Sequence, residues 1–186
     1  MAAEETAVEE TEALSRRRER RLVRAAQDGS ADAVASLYTA HWRRAHRAAY
    51  LVVHDAAAAE DVAQDAFLAA VDALDRFDRR RPFAPWLHRI VVNRALDWAR
   101  REGLRQRVEP ERSEPWARAA EPELGDELMA ALRELPPDQR AVVVLRHLLE
   151  YTPGEIATML ELPRGTVNSR LRRALDRLRE TIEVGS

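Results

Sequence analysis

The stretch Glu150-Tyr-Thr-Pro-Gly-Glu-Ile-Ala-Thr-Met-Leu-Glu-Leu-Pro-Arg-Gly-Thr-Val-Asn-Ser-Arg-Leu-Arg-Arg-Ala-Leu175 decides the fold of this chain. Thr152, Pro153 and Glu155 form a helix start. Thr152 can cap, Pro153 suits the first helical position, and Glu155 stands three residues after the cap, as a capping box requires. Ile156, Met159 and Leu160 then give a short apolar stripe. Leu162-Pro163 breaks that helix, because the residue before a proline avoids helical angles. In the next helix Val167, Leu171, Ala174 and Leu178 recur on one buried face. At about 100° per residue, Gly165, Ser169, Arg172, Arg173 and Asp176 fall opposite, with Asn168 flanking them. A short helix, a sharp turn and a second helix with an arginine-bearing outer face predict a helix-turn-helix, whose second helix can enter the DNA major groove. A plain structural hairpin has the same outline, so the rest of the chain decides between them.

Composition favours helix throughout. The 186 residues suffice for one domain or two small ones. The apolar fraction is 46%, yet only three Phe, three Tyr and four Trp contribute, so the cores are built of Ala, Leu and Val. With only six Gly, this mixture predicts an all-α protein. The absence of Cys excludes disulfides and thiolate metal sites. Apolar runs fall far short of the ~18–20 residues of a membrane span, and no signal pattern opens the chain. A cytoplasmic protein without membrane insertion is the expectation. The net charge of −2 hides a strong segregation. Arg79 to Arg107 and Arg164 to Arg179 are basic; residues 1–15 and Glu109 to Glu127 are acidic. Two basic blocks point to two contact surfaces on a polyanion, against the plainer reading of solvated helix faces.

Taken in order, residues 1–15 form an acidic arm with too few apolar groups to offset ordering, so disorder is expected. A first domain spans 16–101. Helices are predicted from Arg16 to Gln27, from Ala31 to Val53 under a Ser30 or Asp32 cap, and from about Ala57 to Phe77, where Phe67, Ala70, Val71 and Leu74 mark the core side. Asp61, Gln64 and Asp65 lie on the outer face of the third. After a loop carrying Arg79, Arg80 and Arg81, helix resumes near Pro85 and runs to about Arg101. Along one stripe of it lie Trp86, Arg89, Asn93, Asp97 and Arg100. An aromatic ring can stack on an unpaired base, guanidinium can hold phosphate and Asn can read a base edge. Trp86 is equally readable as a core residue. Residues 102–123, with Gly103, Pro110, Pro115 and Pro122, read as a flexible linker. A second domain spans 124–182, with one helix ended by Pro136-Pro137, a second capped by Asp138, and the helix-turn-helix.

Three strings in this chain resemble, in the right order, the sigma-70 family, and in particular its small extracytoplasmic-function sigma factors. Asp61, Gln64, Asp65 and Phe67 match the D-x-x-Q-[ED]-x-F signature of region 2.2. Phe83-Ala-Pro-Trp-Leu-His-Arg-Ile-Val-Val-Asn-Arg-Ala-Leu-Asp-Trp-Ala-Arg-Arg101 is similar to regions 2.3 and 2.4, and the opening stretch to region 4. The resemblance covers roughly Leu22 to Arg179. It implies a region 2 bundle and a region 4 helix-turn-helix domain that together direct bacterial core RNA polymerase to promoters, without enzymatic activity, metal or cofactor. It implies that Asp61, Gln64, Asp65 and Phe67 meet the clamp helices of the largest polymerase subunit, with region 4 on the flap of the second largest. Arg79, Arg80, Arg81, Trp86, Arg89, Asn93 and Arg100 then serve the −10 element. Arg164, Thr166, Asn168, Ser169, Arg170, Arg172 and Arg173 serve the −35 element. An anti-sigma factor is an implied partner, one that can hold the protein at the membrane.

Glu150 and Glu161 depart from the pattern, since the family commonly has Gly at both positions; a left-handed turn at Glu161 costs about 1 kcal/mol. Asn168 stands where Lys or Arg is frequent. Two other functions compete. An autonomous operator-binding regulator would use the last domain alone, but it would need a dimer seam and no heptad run supplies one. An enzyme would need a site, and the five His are scattered with no phosphate loop or nucleophile elbow beside them.

Overall fold

The computed structural model describes residues 16–108 and 125–185. The acidic arm and most of the expected linker therefore lie outside the described residues. All regular structure among the described residues is helical, in agreement with the all-α expectation.

Helix α1 (16–27) turns at Gly29, whose φ of 91° suits a residue without Cβ. Helix α2, Ala31–Val53, starts under Ser30, whose hydroxyl accepts the Ala33 N–H at 3.3 Å. It ends at left-handed His54, and Asp55 caps α3, Ala56–Asp72, accepting the Ala58 N–H at 2.7 Å. The third helix stops earlier than its apolar periodicity predicts, giving way to a single 3₁₀ turn, Leu74–Arg76. The Gln27 side-chain amide donates to the carbonyls of Leu74 (2.8 Å) and Phe77 (3.0 Å), which satisfies groups a continuing helix would have used. Phe77 then turns inward onto Phe83 and Trp86. Val71, expected in the core, is exposed on the last turn of α3.

Helix α4, Phe83–Val108, begins before Pro85, which sits in the first turn where a missing N–H costs nothing. The Phe83 N–H donates to Glu19 of α1 at 3.3 Å, and the same carboxylate meets His41 at 3.1 Å. Burial by itself would raise the Glu19 pKa. The hydrogen bond and charge of His41, together with the Phe83 N–H, outweigh it and hold the carboxyl below its ordinary value. The helix continues past Arg101, where the linker was expected to begin, because nothing before Pro110 stops it: Gly103 costs only about 1 kcal/mol relative to Ala.

Helices α2, α3 and α4 pack against one another through alanines that let their backbones approach closely; Ala45, Ala48, Ala49, Ala59, Ala63, Ala66 and Ala95 are fully buried. The second set comprises α5 (Asp126–Glu134), α6 (Pro137–Val143) running into a π turn (Val144–Leu148), α7 (Pro153–Leu160) and α8 (Arg164–Gly185). Here α8 lies across α5, α6 and α7 over a core of Val142, Leu145, Ile156, Val167 and Ala174. Asp138 does not cap α6 as expected; Pro136 holds that place and the carboxylate reaches elsewhere.

The two helical sets do not stand apart. Helix α6 rests on α2 and α4, α7 rests on α4, and the buried residues of both sets form one continuous cluster. The two sets are the expected pair of helical domains, and they lie in contact. The apolar surface between them is removed from water, and that burial favours contact wherever the connecting chain permits it.

Candidate nucleic-acid interface

The helix-turn-helix is built as its sequence dictates. Thr152 and Glu155 form a complete capping box. The Thr152 hydroxyl accepts the Glu155 N–H at 3.3 Å, and the Glu155 carboxylate accepts the Thr152 N–H at 2.8 Å. These bonds from the Thr152 backbone and hydroxyl hold the Glu155 carboxyl below its ordinary pKa. Glu161 closes α7 in the left-handed region at φ 55°, and Glu150 also has a positive φ, 62°. Both therefore keep the backbone form that glycine would adopt without strain. Val167, Leu171, Ala174 and Leu178 face inward. Arg164, Asn168, Arg172 and Arg173 point outward and are exposed, with Thr166 and Ser169 half-buried between them. The Arg173 guanidinium donates to the Ser169 carbonyl at 3.2 Å, which steadies it along the outer face. Arg170 is turned away from this group; it pairs with Asp138 at 3.0 Å on the inner side.

The second basic surface is divided. Arg79, Arg80 and Arg81 lie in an exposed loop shaped by Asp78, whose carboxylate accepts the Arg80 N–H at 3.0 Å and whose carbonyl accepts the Arg81 N–H at 2.9 Å. Trp86 packs on Phe77 and Phe83 with ring centroids 4.6 and 5.6 Å away and is half-buried. The remaining members of the α4 stripe turn toward the second helical set. Arg89 pairs with Glu161. The Asn93 amide donates to the Met159 carbonyl at 3.5 Å. Arg100 pairs with Asp138 at 3.0 Å. One turn away, the buried His88 ring and the Tyr151 hydroxyl share a hydrogen bond of 2.7 Å. Burial pushes the His88 pKa down to about 4, so the ring is neutral at physiological pH, and burial raises that of Tyr151.

Asp61, Gln64 and Asp65 form an exposed ridge on α3. Phe67 is not on that ridge. It is buried beneath it, its ring tilted against that of Tyr38 with centroids 4.8 Å apart, at the floor of an apolar groove that Leu68 and Val71 edge. Sequence reading missed Leu68, which is 64% exposed and extends the ridge with apolar surface. It also missed Arg44, Asp138 and Tyr151 as partners across the two helical sets. Their partners lie far away in the chain, and local periodicity carries no trace of such pairs. The two glutamates in glycine-like positions were the available signal. Among the described residues, no cluster of His, Asp or Glu could hold a metal ion, and no helix is long and apolar enough to cross a membrane.

Comparison with known proteins agrees with this geometry. The model of sigma-70 region 2 matches residues 37–105, and that of sigma-70 region 4 matches residues 125–178. The ECF RNA polymerase sigma factor SigM of Mycobacterium tuberculosis is 38% identical over 143 residues, covering 76% of this chain and 73% of the relative. SigW of Bacillus subtilis is 28% identical over 176 residues, covering 86% and 94%. Among solved structures, CnrH in complex with the cytosolic domain of CnrY superposes with a TM-score of 0.67 at 28% identity, covering 91% of this chain and 99% of that one. With both regions matched in order on the helices that carry the ridge, the stripe and the helix-turn-helix, the chain belongs to the extracytoplasmic-function sigma factors of the sigma-70 family.

Proposed function

We propose that this sigma factor, which directs RNA polymerase to promoters through its region 2 and region 4, divides the promoter between two arginine-bearing faces. The outer face of α8 reads the −35 element. Arg172 and Arg173 supply guanidinium groups for guanine edges or phosphates, Asn168 and Ser169 supply short polar contacts, and Arg164 and Thr166 meet the backbone at the helix start. The Arg79–Arg81 loop and the α4 stripe of Trp86, Arg89, Asn93 and Arg100 hold melted −10 bases and their phosphates. The ridge of Asp61, Gln64 and Asp65, backed by the apolar groove over Phe67, docks on the clamp helices of core polymerase. Acidic and amide groups there pair with partner arginines while Leu68 buries apolar area. Region 4 meets the flap. A second protein of the anti-sigma class is a natural partner, since the CnrH structure was solved with the cytosolic domain of CnrY; membrane tethering of that partner would hold this chain at the membrane too.

The observation that carries this reading is the α8 outer face. Exposed arginines and an amide project from a helix whose other side is wholly occupied by core, on a turn fixed by a capping box. Run-off transcription with purified core polymerase and a promoter library tests it. A defined consensus at both elements is the expected outcome. Transcription indistinguishable from core polymerase alone rejects the reading.

A further inference from the structure

Arg140 is buried without a counter-charge. The residue is 8% exposed, and its Nε has no hydrogen-bond partner among the described residues. No carboxylate among them pairs with it. Burial lowers its pKa to about 10, so the guanidinium keeps its charge at physiological pH. Arginine is almost never buried unless paired, because a lone charge taken out of water is left without compensation. A second unsatisfied group lies beside it. His54 is 6% exposed, and neither ring nitrogen reaches a partner in hydrogen-bonding geometry among the described residues. The Leu132 backbone favours protonation of the ring; burial and the charges of Arg140 and Arg133 override it. Both side chains line a cavity of about 390 Å³ where the end of α2, the middle of α4 and the α5–α6 corner meet. Arg133 is exposed at its edge, and Trp98 and Pro137 supply apolar wall. The one carboxylate in the lining, Glu102, pairs with Arg105 of its own helix at 3.6 Å.

We propose that this cavity is a binding site for a small phosphate-bearing anion, held by the Arg140 and Arg133 guanidinium groups with the His54 imidazole donating a further hydrogen bond. Guanidinium presents its donors in a planar fork that matches two phosphate oxygens. A dianion also answers two positive charges, where a carboxylate answers one. The cavity lies within the range of about 300–1,000 Å³ usual for small-molecule sites, so it has room for more than the phosphate. Trp98 offers a surface on which a planar ring can stack. Inorganic phosphate and a nucleoside monophosphate therefore share the chemistry that the site recognises. None of its residues belongs to the α8 outer face, the arginine loop or the α3 ridge, so this binding is additional to promoter and polymerase contact.

The test is calorimetric titration of the full chain with inorganic phosphate, with AMP and, for comparison, with acetate, all at one ionic strength because salt screens exposed charge. Saturable binding of phosphate or AMP is expected, with acetate about tenfold weaker or more. Tighter binding of AMP assigns a ring-bearing ester; equal affinity assigns the free ion. R140M should lower the affinity about tenfold or more, the worth of a charge-assisted hydrogen bond, and R133M about two- to fivefold. E102Q withdraws the one carboxylate of the lining and should tighten binding about two- to fivefold. R172A/R173A should leave it unchanged. Absence of saturable binding by both probes overturns the proposal. Equal affinity for acetate does so too, as does an equal loss in R172A/R173A, which would put the anion on the α8 face. Should R140M not fold, unchanged affinity in both R133M and E102Q overturns it.

Discussion

The two arginine faces of this sigma factor are alike in composition and opposite in state. On α8, Arg164, Arg172 and Arg173 stand in solvent with no acidic partner from the other region among the described residues. On α4, Arg89 and Arg100 are each paired with a carboxylate of region 4, and Asn93 is bonded to its backbone. The difference teaches that a basic helix face is not by itself an available one. Whether arginines meet nucleic acid depends on which carboxylates the rest of the fold brings within about 4 Å of them. The α8 face is exposed, while the α4 stripe lies against region 4.

Acid gives the largest contrast between the two. His54 and His88 are buried where the regions meet, and both are neutral in the fold. Burial and the charges of Arg140 and Arg133 lower His54 to about 3; burial, with His41 and Arg44 outweighing the opposing Glu19, lowers His88 to about 4. Because the folded values lie below the unfolded value of about 6.5, stability is fully present above that pH and is lost as pH falls toward the folded values. At pH 5 the loss is up to about 2 kcal/mol for each histidine. Urea midpoints measured from pH 7.5 to 5 should fall accordingly, and H88Q should flatten the curve by about half. No histidine lies on the α8 outer face, so duplex −35 binding should follow the stability of the fold and carry no titration of its own.

A somewhat smaller effect sharpens the comparison from the exposed side. R172A/R173A should reduce promoter-selective transcription about 100-fold, near 2.7 kcal/mol, if each arginine makes an ordinary base or phosphate contact. Binding to core polymerase, measured by co-elution, should not change; an equal loss of both would erase the distinction between the two surfaces. Next comes Y151F. It strips the buried His88 ring of its one hydrogen-bond partner, at a cost of about 1–2 kcal/mol. A lower Tm, together with faster amide exchange on α4 than on α8, is the expected result. The smallest is E161G, which should stabilise the fold by about 1 kcal/mol by relieving the left-handed glutamate, read as a higher Tm. A lower Tm would mean that the Glu161–Arg89 pair outweighs the strain.

Much of this was legible in the residues because the signals were local. The Thr152–Glu155 box, Ser30 at the start of α2 and the Val167–Leu178 stripe each rest on neighbours within one or two turns, and the structure reproduces them. The early end of α3 was not legible, because the amide that takes the Leu74 and Phe77 carbonyls just beyond it comes from Gln27, some fifty residues back. The assignment of Asp138 as a cap failed for the same kind of reason: a first-turn carboxylate can be claimed by distant arginines, and here two claim it. On α8, the outward placement of Arg164, Asn168, Arg172 and Arg173 was readable, and the inward turn of Arg170 was not. The state of the α4 stripe was not, because nothing in a helical period records what lies on top of it. Glu150 and Glu161 were visible as oddities, and their partners became apparent only in three dimensions.

The carboxylate of Glu19, bridging His41 and the first N–H of α4, has a practical consequence for anyone dividing this chain. The segment that matches sigma-70 region 2 begins at residue 37, yet contacts that hold its helices begin earlier, at Glu19 and Gln27. A fragment cut at that inherited border would lose Glu19 and Gln27 together. The Phe83 amide and the Leu74 and Phe77 carbonyls would be stranded at the hinge of the arginine loop. Such a fragment would look defective in strand capture although every residue proposed to hold the −10 strand was still present.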